Sequence, residues 1–291
     1  MQNHMNRTLT ILADGVPVTG YARAKLIGTE RLGLYPSLFM LDLWNLSEDD
    51  YLLLSRCKVV TVMHRKSMLV SGSMSDVFRD RRSGTFLPGA AARSPLETVH
   101  WTVSRALRTP RGRLDGSMIT HVAISPGLNL WEASVSLSVE SGVTASETVR
   151  RLLQASGTAI QLLSFPDVDP VMSRGQAFFG RAAECIEEVL GKVGASCCLV
   201  PSGLCVIPKN GLPIIMVLTE EDLTDVPSFN CGGDMVLRTE PAGWTLGKGI
   251  KVICGGTVTK GLITERMLNL DTGEGPWCVK LVVSAIGQSR S

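Results

Sequence analysis

Short runs of β-compatible residues, separated by turn signals, dominate both ends of the sequence. Residues 8–12 and 16–27 flank Asp14-Gly15, a dipeptide that is a strong signal for a tight hairpin. Further runs occupy residues 37–44, 58–65, 67–78, 118–124 and 131–139, and, towards the end of the chain, residues 235–239, 249–254, 257–269 and 276–286. Many short strands with turns between them are typical of a β-barrel or sandwich, so both ends are expected to be rich in strands.

Helical patterns are fewer and lie mostly in the middle of the chain. Ser47 with Asp50 three residues later predicts a short helix to about residue 54, and Thr144-Ala145-Ser146-Glu147 predicts the start of a second helix. Residues 181–193 give the clearest helical pattern, because their apolar side chains form one stripe that ends at Gly194.

The middle helices alternate with strands, which predicts a small α+β unit. A strand is expected at residues 159–165, followed by a loop and then, after the helix at 181–193, by a hairpin at 196–200 and 204–207. The whole pattern predicts an α+β, mainly β fold, with two β-barrel-like domains and a small α+β domain inserted between them. The expected domains are residues 1–139, with an Arg-rich insertion at 79–113, residues 140–228 for the α+β domain, and residues 229–291 for the strands of the second β-barrel-like domain.

The insertion at residues 79–113 contains eight arginines and only Asp80 and Glu97 as acidic residues. Its prolines and glycines favour extended loops, with one short helix near residues 96–107. A solvated loop is the usual outcome for such a charge run, and a docking surface for an acidic neighbour or for nucleic acid is the alternative. Since Trp101 is nearly the only aromatic residue in it, stacking on single-stranded nucleic acid is not expected, and loop or protein contact is favoured.

The overall charge balance argues against a general nucleic-acid binder. The 291 residues carry 29 basic and 27 acidic side chains, a formal charge of +2. Charged residues make up only 19% of the chain, and this apolar balance fits either a large core or a surface that closes against other subunits. Residues 193–208 are uncharged but are interrupted by glycine and proline and are too short to span a membrane. The N-terminal residues lack a secretory pattern, so assembly in the cytoplasm is expected.

Eight cysteines invite a metal-site or disulfide interpretation. They are Cys57, Cys185, Cys197, Cys198, Cys205, Cys231, Cys254 and Cys278. No two have C-x-x-C spacing and no histidine accompanies a cysteine pair, so the sequence predicts no zinc site. Most occupy positions where valine would fit, which favours buried apolar thiols, while disulfides stay open if the mature protein meets an oxidising exterior.

No motif for catalysis or cofactor binding is found. G-x-S-x-G, H-E-x-x-H and the phosphate-binding G-x-x-x-x-G-K-[ST] are missing, and Gly247-Lys248-Gly249 is better explained as a turn before a strand. The histidines are His4, His64, His100 and His121, and His64 and His121 fall in strand patterns where a structural role is the default. Asp167 and Asp169 are the only close carboxylate pair of interest, and such neighbours in a loop more often cap turns than perform acid–base chemistry. No catalytic, cofactor-binding or metal-binding residue is therefore predicted.

Four segments together resemble the hub proteins of phage tails, including the late-control protein D type and the baseplate hubs of contractile tails. They are WNLSEDD at residues 44–50 with the strands that follow it, VSLSV at 135–139 leading into GVTASE at 142–147, GRAAECI at 180–186 with the hairpin after it, and GLITE at 261–265 with GPWCV at 275–279. The resemblance covers most of the chain. The Arg-rich insertion and the number of cysteines depart from it.

The resemblance implies a structural, non-enzymatic protein of the virion tail or baseplate, assembled in the host cytoplasm. Such hubs form a trimeric ring that adapts a sixfold tail tube to a threefold spike or tip. The implied partners are two further copies of the chain, the tail tube protein, the spike or tip protein, other baseplate proteins and the tape-measure protein. From the residues themselves, no cofactor, no membrane segment and no specific nucleic-acid binding are expected. A tail-tip module that binds cell-surface carbohydrate and a cell-wall hydrolase are the alternatives.

Overall fold

A computed structural model describes residues 7–35, 37–78, 105–108, 114–200, 203–208 and 214–285 of the chain. The strands in these residues are β1 Thr10–Ala13, β2 Val16–Val18, β3 Arg23–Arg31, β4 Leu38–Trp44, β5 Val59–His64, β6 Ser67–Phe78, β7 Arg105–Arg108, β8 Leu114–Ser125, β9 Ser134–Val139, β10 Leu162–Ser164, β11 Gln176–Arg181, β12 Ala195–Val200, β13 Gly203–Pro208, β14 Ile214–Leu218, β15 Ser228–Phe229, β16 Met235–Thr239, β17 Gly249–Cys254, β18 Thr257–Asp271 and β19 Trp277–Ala285. The α-helices are α1 Glu48–Arg56, α2 Leu128–Glu132, α3 Ala145–Ala155 and α4 Ala182–Lys192.

One large sheet contains fourteen of these strands. Its main path runs β15-β16-β19-β18-β3-β4-β8-β6-β5-β1-β2, while β17 pairs with β18, β14 with β17 and β7 with β8. Two small sheets, β10-β13-β12 and β11-β9, belong to the middle of the chain. The expected α+β, mainly β class is confirmed.

Strands β3 and β18 join the two β-rich ends of the chain. They pair antiparallel from Lys25 opposite Asp271 to Arg31 opposite Glu265. The first part of β18 pairs with β17, and the partner changes to β3 near an irregularity at Ile263/Glu265. The main strand order of the described residues runs from β15 to β2 without returning on itself, so this sheet is not closed. The two β-rich regions share this sheet through the pairing of β3 with β18, and the domain bounds expected from the sequence stay a prediction.

Two hydrophobic cores lie on either side of the hairpin β12–β13. The sheet core consists of buried side chains of the large sheet, of α1 and of the adjoining loops, together with Cys198 and Ile207 of the hairpin. The helical core consists of buried side chains of α2, α3, α4, β9 and β11 and of Leu34, together with Cys197, Leu204 and Val206 of the hairpin. Since successive residues of a strand point to opposite faces, each strand of this hairpin contributes to both cores.

Local signals in the sequence are confirmed where they rest on turns and caps. Asp14 and Gly15 have φ of 47° and 84°, as a tight hairpin turn requires, and they connect β1 to β2. Ser47 caps α1 by accepting a hydrogen bond from the Asp50 N–H at 3.2 Å. Thr144 caps α3 by accepting one from the Glu147 N–H at 3.3 Å.

Four local predictions need correction. Trp131 belongs to α2 and not to a strand, because Gly127 with φ of 76° starts a short helix that buries Leu130. The strand predicted at 159–165 is reduced to β10, and the loop predicted after it contains β11, which pairs with β9. Arg105–Arg108 is a strand paired with β8 where a helix was predicted. The rest of the predicted Arg-rich loop, residues 79–104 and 109–113, lies outside the described residues.

Candidate assembly surface

A two-stranded ribbon, β9–β11, lies over the helical core and has one covered and one open face. Val135, Val139 and Phe178 point into the helical core. The opposite face carries Ser134, Ser136, Ser138, Ala177, Phe179 and Arg181, and we call it the ribbon face. Within the described part of the chain neither strand pairs with a third one, so both edges have backbone groups that another chain could pair with.

Adjacent phenylalanines on β11 have opposite environments. Phe178 is 2% exposed, whereas Phe179 is 86% exposed and lies opposite Ser136. A phenyl ring surrounded by serine and alanine on a sheet gains no burial from the fold itself. Aromatic residues are enriched at protein–protein interfaces, so an exposed phenyl ring beside two open strand edges is a candidate contact.

An aromatic and cationic cluster adjoins the ribbon face. The Arg181 guanidinium lies over the Trp131 ring, 5.1 Å from its centroid, and the Tyr35 ring lies 5.7 Å from the Trp131 ring at 41°. Arg181 also pairs with Glu184 at 3.3 Å, and Tyr35 is 63% exposed. Trp, Tyr and Arg are the residues that contribute most to protein–protein interfaces. The ribbon face and this cluster together are the candidate assembly surface.

Asp169, one of the two carboxylates singled out from the sequence, stabilises the start of α3. It accepts hydrogen bonds from the Ser146 N–H at 2.9 Å and the Ser146 hydroxyl at 2.6 Å. Burial acts to raise the pKa of Asp169, but hydrogen bonds from Ser146 and Thr144 and the charge of Arg150 hold it below its ordinary value. The Asp169 carboxylate is therefore ionised, and its oxygens accept the hydrogen bonds that cap α3. A group in this state is unsuited to act as a general acid. Asp167 is exposed.

Both described histidines have structural partners. His64 is 2% exposed, its Nδ1 lies 2.8 Å from the Thr8 carbonyl oxygen, and its ring meets the Trp277 ring edge-on at 5.2 Å. His121 Nδ1 lies 2.5 Å from Asp42 Oδ1. His4 and His100 lie outside the described residues.

The thiols and the glycine turn also have structural environments. Cys57, Cys185, Cys197 and Cys198 are buried, as expected for apolar fillers, whereas Cys231 is exposed. Gly247, with φ of 76°, forms the turn before β17 and packs so closely against Ile207 that a side chain at position 247 would collide with Ile207.

Among the described residues, no group of three or more His, Cys, Asp or Glu side chains is arranged to hold a metal ion. In the same residues no helix has the length and apolar character needed to cross a membrane.

No protein-family model matches the sequence, and no curated protein matches it. Solved structures do match over almost the whole chain. A tail protein from Neisseria meningitidis MC58 is 11% identical, with a TM-score of 0.64 and 96% of each chain covered. The 43 kDa tail protein of prophage MuSo2 from Shewanella oneidensis is 10% identical, with a TM-score of 0.65, covering 96% of this chain and 97% of that one. The chain has the fold of phage tail proteins.

The tail-protein fold also extends to a secretion machine. A component of the type VI secretion system of E. coli is 9% identical, with a TM-score of 0.62, covering 96% of this chain and 77% of that one. That protein is described as structurally similar to the T4 bacteriophage tail proteins gp27 and gp5. At these identities the likeness is one of fold, and it agrees with the tail-hub resemblance found in the sequence.

The sequence predicts one strand of the ribbon, because β9 lies within the strand expected at residues 131–139, but it does not predict the rest of the candidate assembly surface. Residues 176–180 fall in the predicted loop, so the alternation of Phe178 and Phe179 is not foreseen. Tyr35 and Trp131 are far apart in sequence and are brought together by packing. The β-compatible Gln-Ala-Phe-Phe run is the signal that could have indicated β11.

Proposed function

We propose that the chain is a structural, non-enzymatic subunit of a phage tail, located in the baseplate or hub at the tail end of the virion and assembled there from the host cytoplasm. The observation that carries this proposal is the tail-protein fold, shared over 96% of the chain with two proteins named as tail proteins. The pairing of β3 with β18, which gives one continuous sheet, also supports a rigid scaffold.

Within the tail, the chain is proposed to form a closed ring of three that adapts a sixfold tube to a threefold spike or tip. Each copy has two β-rich regions, one on each side of the β3–β18 pairing, so three copies would offer six similar contacts to the tube. The ring has cyclic symmetry because its two ends meet different partners. Those partners are the tail tube protein, the spike or tip protein and other baseplate proteins, together with the tape-measure protein.

The candidate assembly surface is proposed as one contact with a neighbouring subunit. Phe179 gives the ribbon face an exposed apolar group, and the stacked Arg181 and Trp131 side chains provide the mixed aromatic and cationic composition of interface centres. The open edges of β9 and β11 add backbone donors and acceptors that a strand of a neighbour would pair with.

The test is a structure of the assembled tail end, determined from purified particles by electron microscopy. The expected result is three copies of the chain around the tail axis, with the tube on one side and the spike on the other. A dihedral oligomer, or absence of the chain from purified tails, would contradict the proposal.

The proposal that the chain is not an enzyme is tested separately, by incubating the purified protein with peptidoglycan and with simple esters. Turnover that is lost in the double variant Asp167→Ala, Asp169→Ala would contradict it.

Carbohydrate binding at a tail tip is a second candidate function, which one observation favours. The exposed Tyr35 ring beside Trp131 offers a small aromatic platform, with Arg181 as a polar group next to it. Binding of purified protein to host cell-surface polysaccharide, abolished by Tyr35→Ala, would support this function, and no binding by the wild type would exclude it for the polysaccharide tested.

A further inference from the structure

Two cysteines face each other across the hairpin β12–β13. Cys198 is directly opposite Cys205 in the antiparallel register, and directly opposite residues have side chains on the same face. Both contact the sheet core: Cys198 is 2% exposed within it, and Cys205 is partly buried against it. The neighbouring Cys197 points into the helical core on the other face.

The Cα separation expected at this pair permits a strained disulfide. Leu204 donates its N–H outward to the Gln161 carbonyl oxygen, so Leu199 and Leu204 do not exchange hydrogen bonds and the next pair, Cys198 and Cys205, does. Cα atoms of such a pair are about 5.5 Å apart. Disulfides span Cα separations of about 4.4–6.8 Å. The Cβ atoms of a hydrogen-bonded cross-strand pair lie towards the upper end of about 4.5–5.5 Å, farther than the roughly 3.5–4.5 Å of a relaxed disulfide, so the bond would be strained and easy to reduce.

We propose that Cys198 and Cys205 form a reversible intramolecular disulfide when the folded protein meets a low-molecular-weight disulfide such as oxidised glutathione. Both thiols are free in the structure, which corresponds to the reduced form. This inference does not depend on the proposed function.

The chemistry balances with one equivalent of oxidised glutathione. The more exposed Cys205 loses its proton and attacks, forming a mixed disulfide and releasing one glutathione thiolate. Cys198 then loses its proton and attacks the Cys205 sulfur, which forms the intramolecular bond and releases the second glutathione. Two protein thiols are oxidised, one glutathione disulfide is reduced, and the two protons end on the two glutathione thiols.

The two thiols differ in a way that sets this order. Burial, followed by the nearby Cys205 and Glu30, raises the pKa of Cys198 to about 12. The Cys198 thiol also lies 3.5 Å from the Leu246 carbonyl oxygen, to which it donates a hydrogen bond. Because the thiolate is the nucleophile, Cys198 is slow to attack the oxidant and instead attacks the mixed disulfide in the second step. Formation of the Cys198–Cys205 bond should therefore become faster as pH rises.

The bond would fix the hairpin that separates the two cores. Strand β12 reaches the β3–β4 loop through the Cys197 carbonyl oxygen, which accepts a hydrogen bond from the Gly33 N–H at 2.8 Å. Strand β13 packs Ile207 against Gly247 before β17. A link between the strands therefore ties the contacts of both sides of the hairpin together.

The test is oxidation of the full-length native protein with oxidised glutathione, followed by acid quenching, alkylation in denaturant and mass mapping. The peptide between Lys192 and Lys209, which holds Cys197, Cys198 and Cys205, should lose the mass of two hydrogen atoms, with only Cys197 alkylated. The exposed Cys231 should instead carry one glutathione, which shows that the oxidant was active. Three alkylated cysteines in that peptide, beside a glutathionylated Cys231, would overturn the proposal.

Two matched variants identify the bond. Cys205→Ala should abolish the intramolecular link, and Cys197→Ala should retain it, because Cys197 faces the other core. Loss of the link in Cys197→Ala would assign it to Cys197 and overturn the proposal. If Cys205→Ala fails to fold, Cys198→Ala removes the other thiol of the pair and serves the same purpose. The peptide map of the wild-type protein does not depend on either variant.

Discussion

Arg266 lies directly opposite Glu30 across the β3–β18 pairing, with its Nη2 2.6 Å from the Glu30 Oε2. The two side chains are 8% and 14% exposed. The same guanidinium donates to the carbonyl oxygens of Leu69 and Trp244, both at 2.8 Å. One side chain therefore links β3, β6, β18 and the loop after β16, at the place where the two ends of the chain meet.

Arg266→Ala should destabilise the protein strongly. The change leaves the Glu30 carboxylate buried without its partner and two carbonyl oxygens without their donor, which typically costs about 3–5 kcal/mol. Arg238→Ala is the matched control, because Arg238 pairs with Asp225 at 2.9 Å where both side chains are more than half exposed. Loss of that exposed pair should cost less than about 1 kcal/mol. Urea unfolding measures both, and equal losses would contradict a structural role for the Arg266 contacts.

The sequence predicts the local elements of this fold well and the long-range pairing poorly. Asp14-Gly15, Ser47 and Thr144 act within a few residues, so their turn and caps can be read directly. Glu30 and Arg266 are 236 residues apart, and nothing near either one indicates the other. Strand periodicity shows which face of β3 or β18 is buried but not which strand lies beside it, and this is why the sequence does not show that the two β-rich regions share one sheet.

Asp271 should make the stability of the protein sensitive to acid. Its side chain is 3% exposed and pairs with Arg23. Burial acts to raise the pKa of Asp271, but hydrogen bonds from Arg23 and the Gly273 N–H, with the charges of Arg23 and Lys25, hold it below its ordinary value. A carboxyl with a depressed folded pKa stabilises the fold above its unfolded pKa of about 4, and that contribution is lost as pH falls through the folded value.

The measurement is the free energy of unfolding as a function of pH for the wild type and Asp271→Asn. The difference between them should be largest near neutral pH and should shrink as pH falls below about 4. Asp167→Asn, at an exposed position, is the control and should follow the wild-type curve. A difference that stays constant down to the acid limit would show that the Asp271 charge is not involved.

The cap and the buried face of α3 give a prediction with two magnitudes. Thr144→Ala removes the oxygen that accepts from the Glu147 N–H and should cost about 1 kcal/mol. Leu153 is 3% exposed in the helical core, so Leu153→Ala should cost roughly 2–5 kcal/mol. Arg150→Ala, at a side chain that is 52% exposed, is the control. A milder effect for Leu153→Ala than for Arg150→Ala in thermal unfolding would mean that the helical face is wrongly assigned.

Cys57 should react slowly with alkylating reagents in the native protein. Burial, with a further contribution from Asp14, raises the pKa of Cys57 to about 11, so little thiolate is present near pH 8. The exposed Cys231 is the internal reference. Iodoacetamide labelling followed by peptide mapping should modify Cys231 first, and the rate at Cys57 should rise with pH towards 11. Equal rates at pH 8 would contradict the buried position of Cys57.

The exposed groups of the candidate assembly surface cannot be predicted from the sequence, for a second reason. Phe178 and Phe179 are adjacent and chemically identical, so only the pairing of β11 with β9 decides which of them enters the helical core. That pairing depends on tertiary packing around α3 and α4. The sequence also could not show that Tyr35, from the β3–β4 loop, would meet Trp131 of α2.

Separate substitution of Phe179 and Phe178 distinguishes an effect on assembly from an effect on folding. Phe179→Ser should change the free energy of unfolding by no more than about 0.5 kcal/mol, because the ring is exposed, but it should lower the number of copies incorporated into tails several-fold. Phe178→Ala should cost about 3–5 kcal/mol, because that ring is buried in the helical core, and should reduce the amount of folded protein before any assembly step.

Copies per particle are counted by quantitative mass spectrometry of tails purified from cells that supply each variant, with the amount of folded, unassembled protein measured in parallel. Wild-type incorporation of Phe179→Ser would exclude the ribbon face as a subunit contact, and it would leave the tail-protein fold itself unaffected.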